Sequence, residues 1–146
     1  MHEAFEKPLE TFKYPEIESE VGEFKRVAQT FHEDVNYLIS AAHLGELVVL
    51  DDKIWDTLEN TDSNSFSAGE WSAVENCAAE VNRDWRTLKA KIDSGATLDA
   101  PIIMKWGEKY HLVAGNTRLM VARAMGLTPK VLLFEIKTPS KAGALD

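Results

Sequence analysis

Gly115-Asn116-Thr117-Arg118 is the stretch of this 146-residue chain whose residue types can do chemistry together. It lies where an apolar run, Tyr110 to Ala114, gives way to a helical pattern that passes through Leu119 to Met125 and stops at Gly126. Glycine at a strand end permits backbone angles that other residues resist, and Asn116 or Thr117 can cap the helix that follows. A helix starting this abruptly leaves unpaired N–H groups at the positive end of its dipole, and Arg118 adds a planar cation able to chelate phosphate. The combination is an anion cradle. His111 precedes the glycine by four residues, so its side chain either reaches the cradle as a catalytic group or faces solvent from a strand. Lys105 and Arg123 are secondary candidates for phosphate or acceptor contacts, or else ordinary surface cations.

The elements that must position this turn are short. Pro101–Trp106 and Tyr110–Ala114 read as a hairpin around Gly107-Glu108-Lys109, and Lys130–Ile136 as a closing strand after Thr128-Pro129. Upstream, Glu46 to Asp51 makes a further strand. The Asp51-Asp52 pair at its end can recruit Mg²⁺ or, through Asp52, cap a short helical turn carrying Ile54, Trp55 and Leu58. Val21, Phe24, Ala28, Phe31, Val35, Leu38 and Ala42 recur at three- and four-residue spacings, which predicts one long amphipathic helix with Ser19 as N-cap and Gly45 beyond its end. His32 and His43 fall at the polar margin of that stripe without the spacing of a zinc site. Trp71, Val74, Ala78, Val81, Trp85, Leu88 and Ile92 predict a second long helix, stopped by Gly95. Its tryptophans suit core anchoring better than base stacking, and its acids at 70, 75, 80 and 84 suit a solvated face or, for one of them, a general base.

The remaining segments frame these elements. Residues 1–18 read as an extended arm pinned by Phe12 and Tyr14, residues 60–69 as a lid or a surface connection, and 137–146 as a tail. The assembled expectation is a single domain of α+β class. A small mixed β-sheet is elaborated by two long helices across residues 19–100, with the cradle in 101–136.

Composition bounds the function. The net charge of −8 disfavours general binding to duplex DNA, whose affinity rests on cations that neutralise phosphates. The charge is uneven, with nine Lys/Arg and 21 Asp/Glu in residues 1–100 against seven and three in 101–146. That distribution suits a polyanion in a confined site and leaves the acidic helices to solvent or to a protein partner. No apolar stretch is long enough to span a membrane and no signal sequence opens the chain, so a cytoplasmic protein is expected. The single cysteine, Cys77, excludes an internal disulfide and reads as a small buried hydrophobe or, less simply, a reactive thiol.

Pro101-Ile102-Ile103, then Gly107, then Tyr110-His111-Leu112-Val113-Ala114-Gly115-Asn116-Thr117-Arg118, then Ala122 to Leu127 and a hydrophobic strand, resembles the ParB/sulfiredoxin superfamily core. The resemblance implies that Gly115, Asn116, Thr117 and Arg118 hold the phosphates of ATP or another nucleoside triphosphate, accompanied by Mg²⁺. It further implies kinase-like phosphoryl transfer or NTP hydrolysis, with Arg118 stabilising the transferred group and the acceptor, small molecule or nucleic acid, left open. Two departures narrow it. Asn116 stands where sulfiredoxins carry a reactive cysteine, and an amide cannot form a thiol-based intermediate. The chain also lacks the Glu-Arg-Arg run of partition ParB proteins and has no room after residue 136 for their helix-turn-helix. A non-catalytic nucleotide sensor or nucleic-acid accessory module is the alternative, with ParB-like nuclease activity ranked below it.

Overall fold

The computed structural model describes residues 12–61, 63, 71 and 85–136. Strands β2 (Glu46–Val49), β4 (Ile102–Trp106), β5 (Lys109–Ala114) and β6 (Lys130–Ile136) form a four-stranded mixed sheet in the order β2-β6-β4-β5. β6 runs antiparallel to β2 and parallel to β4, while β4 and β5 form the expected hairpin. A second, two-stranded parallel sheet joins β1 (Phe12–Lys13) to β3 (Leu98–Asp99).

Helix layers lie on both faces of the larger sheet, which explains why β4 and β6 are apolar nearly throughout rather than alternating. On one face, Ile102, Met104, Leu132, Phe134 and Ile136 pack against α1 (Val21–Phe31) and α2 (Val35–His43) through Phe24, Phe31, Leu38 and Ala42. On the other, Ile103, Leu112 and Val131 meet Trp55 of α3 (Asp52–Thr57) and Leu119 and Ala122 of α5 (Asn116–Ala124). Helix α4 (Trp85–Asp93) packs beside α5, burying Ile92 against Met120, Val121 and Ala124. The α+β class and the small mixed sheet expected from the sequence are both present.

Three local expectations need correction. The first amphipathic stripe is two helices, not one. His32 adopts a left-handed backbone at φ 58°, its N–H returns to the Ala28 carbonyl, and Asp34 then caps α2 by accepting from the Tyr37 N–H at 3.0 Å. Phe31 and Val35 are four residues apart across this break, so the hydrophobic spacing runs through it undisturbed. Ser19 is not an N-cap: it lies in a 3₁₀ turn, Ile17–Glu20, where its hydroxyl donates back to the Glu16 carbonyl at 2.6 Å. Asp51, rather than Asp52, caps α3 by accepting from the Ile54 N–H at 2.9 Å.

The arm is tied down where the structure describes it. Phe12 is buried, and the Tyr14 hydroxyl donates at 3.4 Å to the His43 carbonyl at the end of α2. Beside it His43 Nε2 meets the Glu18 carboxylate at 2.5 Å, a hydrogen bond that holds the Glu18 pKa below its usual value. In α4 the expected stop at Gly95 is seen, with a left-handed backbone at φ 85°. The expectations for residues 1–11, Cys77, the acids from Glu70 to Asp84, most of the 60–69 segment and the 137–146 tail lie outside the described residues.

Candidate functional site

Strand β5 ends at Ala114 and α5 begins at Asn116, and the one residue between them makes the turn possible. Gly115 has φ 109°, a left-handed conformation that side chains disfavour, and a Cβ there would lie 2.6 Å from the Cβ of Pro101. Glycine is therefore required twice, by backbone angle and by the close approach of the strand entering β4. Gly115 is itself the N-cap, and no side chain caps the helix. The first intrahelical bond of α5 is made by the Leu119 N–H to the Gly115 carbonyl at 2.9 Å, so the first-turn amides lie ahead of the helical ladder.

These residues open onto a cleft of about 360 Å³. Leu112 to Arg118 form its floor, Glu20, Glu23 and Arg26 its wall on the α1 side, and Asn60 the facing wall. Asn60 is fixed by donating its side-chain amide to the Leu112 carbonyl at 2.9 Å, and the Thr61 hydroxyl donates to Asn116 Oδ1 at 2.7 Å. The Thr61 and Ser63 hydroxyls bond to each other at 2.7 Å, and Ser63 in turn accepts the Trp55 indole N–H. Residues 60, 61 and 63, the described part of the segment expected to be a lid or a connection, thus lock onto the start of α5.

Electrostatically the cleft is balanced. The Arg118 guanidinium donates to the Asp99 carbonyl at 2.5 Å and to the Glu20 carboxylate at 3.2 Å, and Arg26 pairs with Glu23 one turn away on α1. The basic bias of residues 101–146 is therefore cancelled at this point by acids that α1 carries in. Arg118 and Glu20 are both partly buried, which strengthens their attraction relative to a surface pair.

Of the site residues expected from the sequence, Gly115, Asn116, Thr117 and Arg118 come together in the cleft. His111 does not line it. Its ring packs edge-on against Phe31 at 4.9 Å between centroids, and its Nδ1 faces the Glu59 carboxylate at 3.5 Å in a neighbouring hollow. Burial lowers the His111 pKa, with Glu59 opposing the shift. Lys105 and Arg123 are also elsewhere. Lys105 lies 3.9 Å from Glu135 and over the Tyr110 ring, while Arg123 stacks 3.9 Å over Trp55 and donates to the Ser63 carbonyl. Glu20, Glu23, Arg26 and Asn60 were not foreseen as site residues. Their sequence signal is only a polar face on α1 and a turn-forming asparagine, and the contact of each with the cradle is long-range.

No protein-family model, no curated protein and no solved structure matches the chain. Among the described residues, no helix is long and apolar enough to cross a membrane, and no group of three or more His, Cys, Asp or Glu could hold a metal ion.

Proposed function

We propose that the cleft binds the phosphates of a nucleoside triphosphate and that the protein is a ParB/sulfiredoxin-like phosphotransferase or NTPase. The observation that carries this reading is Gly115, whose backbone and missing Cβ allow α5 to start at the edge of a cleft large enough for a phosphate chain. The order of hairpin, glycine-started helix and closing strand supports the family resemblance noted in the sequence.

In this reading the amides of Asn116, Thr117 and Arg118 grip the phosphates, and Arg118 stabilises charge on the transferred group. Arg118 is shared with Glu20, so a phosphate has to draw the guanidinium partly away from that carboxylate. Glu20, once released, is an acceptor for the proton of an incoming hydroxyl or water. The cleft carboxylates are both tied to arginines and do not make a metal site by themselves. Mg²⁺ fits here as an ion brought and held mainly by the phosphates, where it supplies charge neutralisation. A nuclease mechanism finds less support, because the described residues offer no acidic metal cluster.

The competing reading is a nucleotide sensor without turnover. It is favoured by the way Arg118 ties the start of α1, through Glu20, to β3, through Asp99, because a phosphate competing for Arg118 loosens that tie. A thermal-shift screen of nucleoside triphosphates with and without Mg²⁺, followed by assay of diphosphate release, tests both. A ligand at a hundred times its dissociation constant adds about 2.7 kcal/mol of stability. A shift with release supports the enzyme, a shift without release supports the sensor, and no shift with any nucleotide or inorganic triphosphate overturns the phosphate site.

A further inference from the structure

The hollow that holds His111 shares its walls with the cleft. Helix α1 gives Glu23 and Arg26 to the cleft and Thr30, one turn on, to the hollow; Asn60 faces the cleft and Glu59 the hollow; β5 gives Leu112 to Ala114 to the cleft and His111 to the hollow. The two follow one another along β5, between α1 and the Glu59-Asn60 segment. Along β5, the four residues from Gly115 back to His111 cover about 13 Å at about 3.3 Å each. That separation suits a base at His111 with the ribose and inner phosphate between and the outer phosphates of a triphosphate at Gly115.

The hollow has the chemistry of a base site. Its aromatic groups are already fixed edge to face and tilted, with Phe31 4.9 Å from His111 and 5.1 Å from Trp106. The Trp106 N–H is given to Glu33 at 2.8 Å, so the indole offers the hollow its ring rather than a donor. Thr30, His32 and Lys109 also line the hollow, and among the described residues Glu59 is its one carboxylate, 44% exposed, with a long contact to His111 at 3.5 Å. Its backbone is held on both sides by β5, through the Tyr110 carbonyl and the Leu112 N–H at 2.9 Å each, which fixes where the carboxylate starts. A carboxylate with free lone pairs takes two parallel N–H donors. Guanine presents such a pair at N1 and N2. Adenine, cytosine and uracil each set an acceptor beside their donor, which a carboxylate repels.

We propose that this hollow is a nucleobase subsite continuous with the cleft, and that it selects guanine through Glu59. The proposal rests on the phosphate reading of the cleft. Calorimetric titration of the full chain with GTP, ATP and inorganic triphosphate, each with Mg²⁺, and of Glu59→Gln with the same three, tests it. GTP is expected to bind about tenfold or more tighter than ATP, as a bidentate pair allows. Glu59→Gln should abolish that preference and leave inorganic triphosphate binding unchanged. Equal binding of GTP and ATP, or a preference that survives Glu59→Gln, overturns the guanine subsite while leaving the phosphate site standing if inorganic triphosphate still binds. Failure of all three ligands to bind overturns the phosphate site and the subsite with it.

Discussion

The Arg118 guanidinium reaches the Glu20 carboxylate at 3.2 Å across 98 positions of sequence, and it does so inside the cleft. The pair makes Arg118 both a structural tie and a restrained cation. Glu20→Gln keeps the shape of that partner and removes its charge. Inorganic triphosphate should then bind more tightly by about 1 kcal/mol or more, since one unit charge near about 4 Å is worth about 1 kcal/mol in water and more in a partly buried site. Titration calorimetry reads this directly. Weaker binding by the variant would show that Glu20 helps to hold the anion instead of competing with it.

Two glycines make opposite predictions. Gly115→Ala meets Pro101 and a φ of 109°, so it should cost about 1–3 kcal/mol of stability. Gly22 lies in α1 with open space around the added Cβ, so Gly22→Ala should stabilise by about 0.5 kcal/mol by restricting the unfolded chain. Urea denaturation of both variants checks the pair, and equal effects would contradict the turn geometry at Gly115.

The split of the first helix is testable through its cap. Asp34→Ala removes the acceptor for the Tyr37 N–H and should lower stability by about 0.5–2 kcal/mol. Ser19→Ala, at an exposed position without a cap role, should stay within about 0.5 kcal/mol of the parent. If the chain kept a single continuous helix, the ranking would reverse.

His111 predicts an acid-side loss of stability. Burial lowers its folded pKa below the usual 6.5, so between the folded value and 6.5 the unfolded chain binds more protons than the folded one. The contribution is complete above pH 6.5 and is lost as pH falls through the folded value. His111→Gln should flatten the dependence of the urea midpoint on pH in that window. An unchanged profile would assign the acid limb to carboxylates.

The sheet and the cradle helix were legible because β-branched runs, a hairpin turn and a glycine at a strand end are local signals. The walls of the cleft were not. Glu20, Glu23 and Arg26 look like any polar helix face, and their role depends on α1 being laid across β5, which no spacing encodes. The break at His32 was hidden because Phe31 and Val35 keep the helical interval while the chain between them leaves the helix. Asp51 and Asp52 are both good caps, and only the position of the first α3 amide chose between them. His111 lies on the strand predicted for it but short of the cradle, in the hollow beside Phe31 and Glu59, because it sits four residues before Gly115 on β5.

Glu59 bonds by its backbone to both sides of His111 on β5, and Asn60 then turns away with a left-handed backbone at φ 66°. A single residue thus occupies the edge of the sheet that would otherwise offer β5 to another strand. A ligand or mutation that pulled Glu59 and Asn60 off β5 would do more than open the cleft. It would uncover a hydrogen-bonding edge backed by Leu112 and Val113, so the wall of the cleft is also this protein's guard against edge-to-edge aggregation.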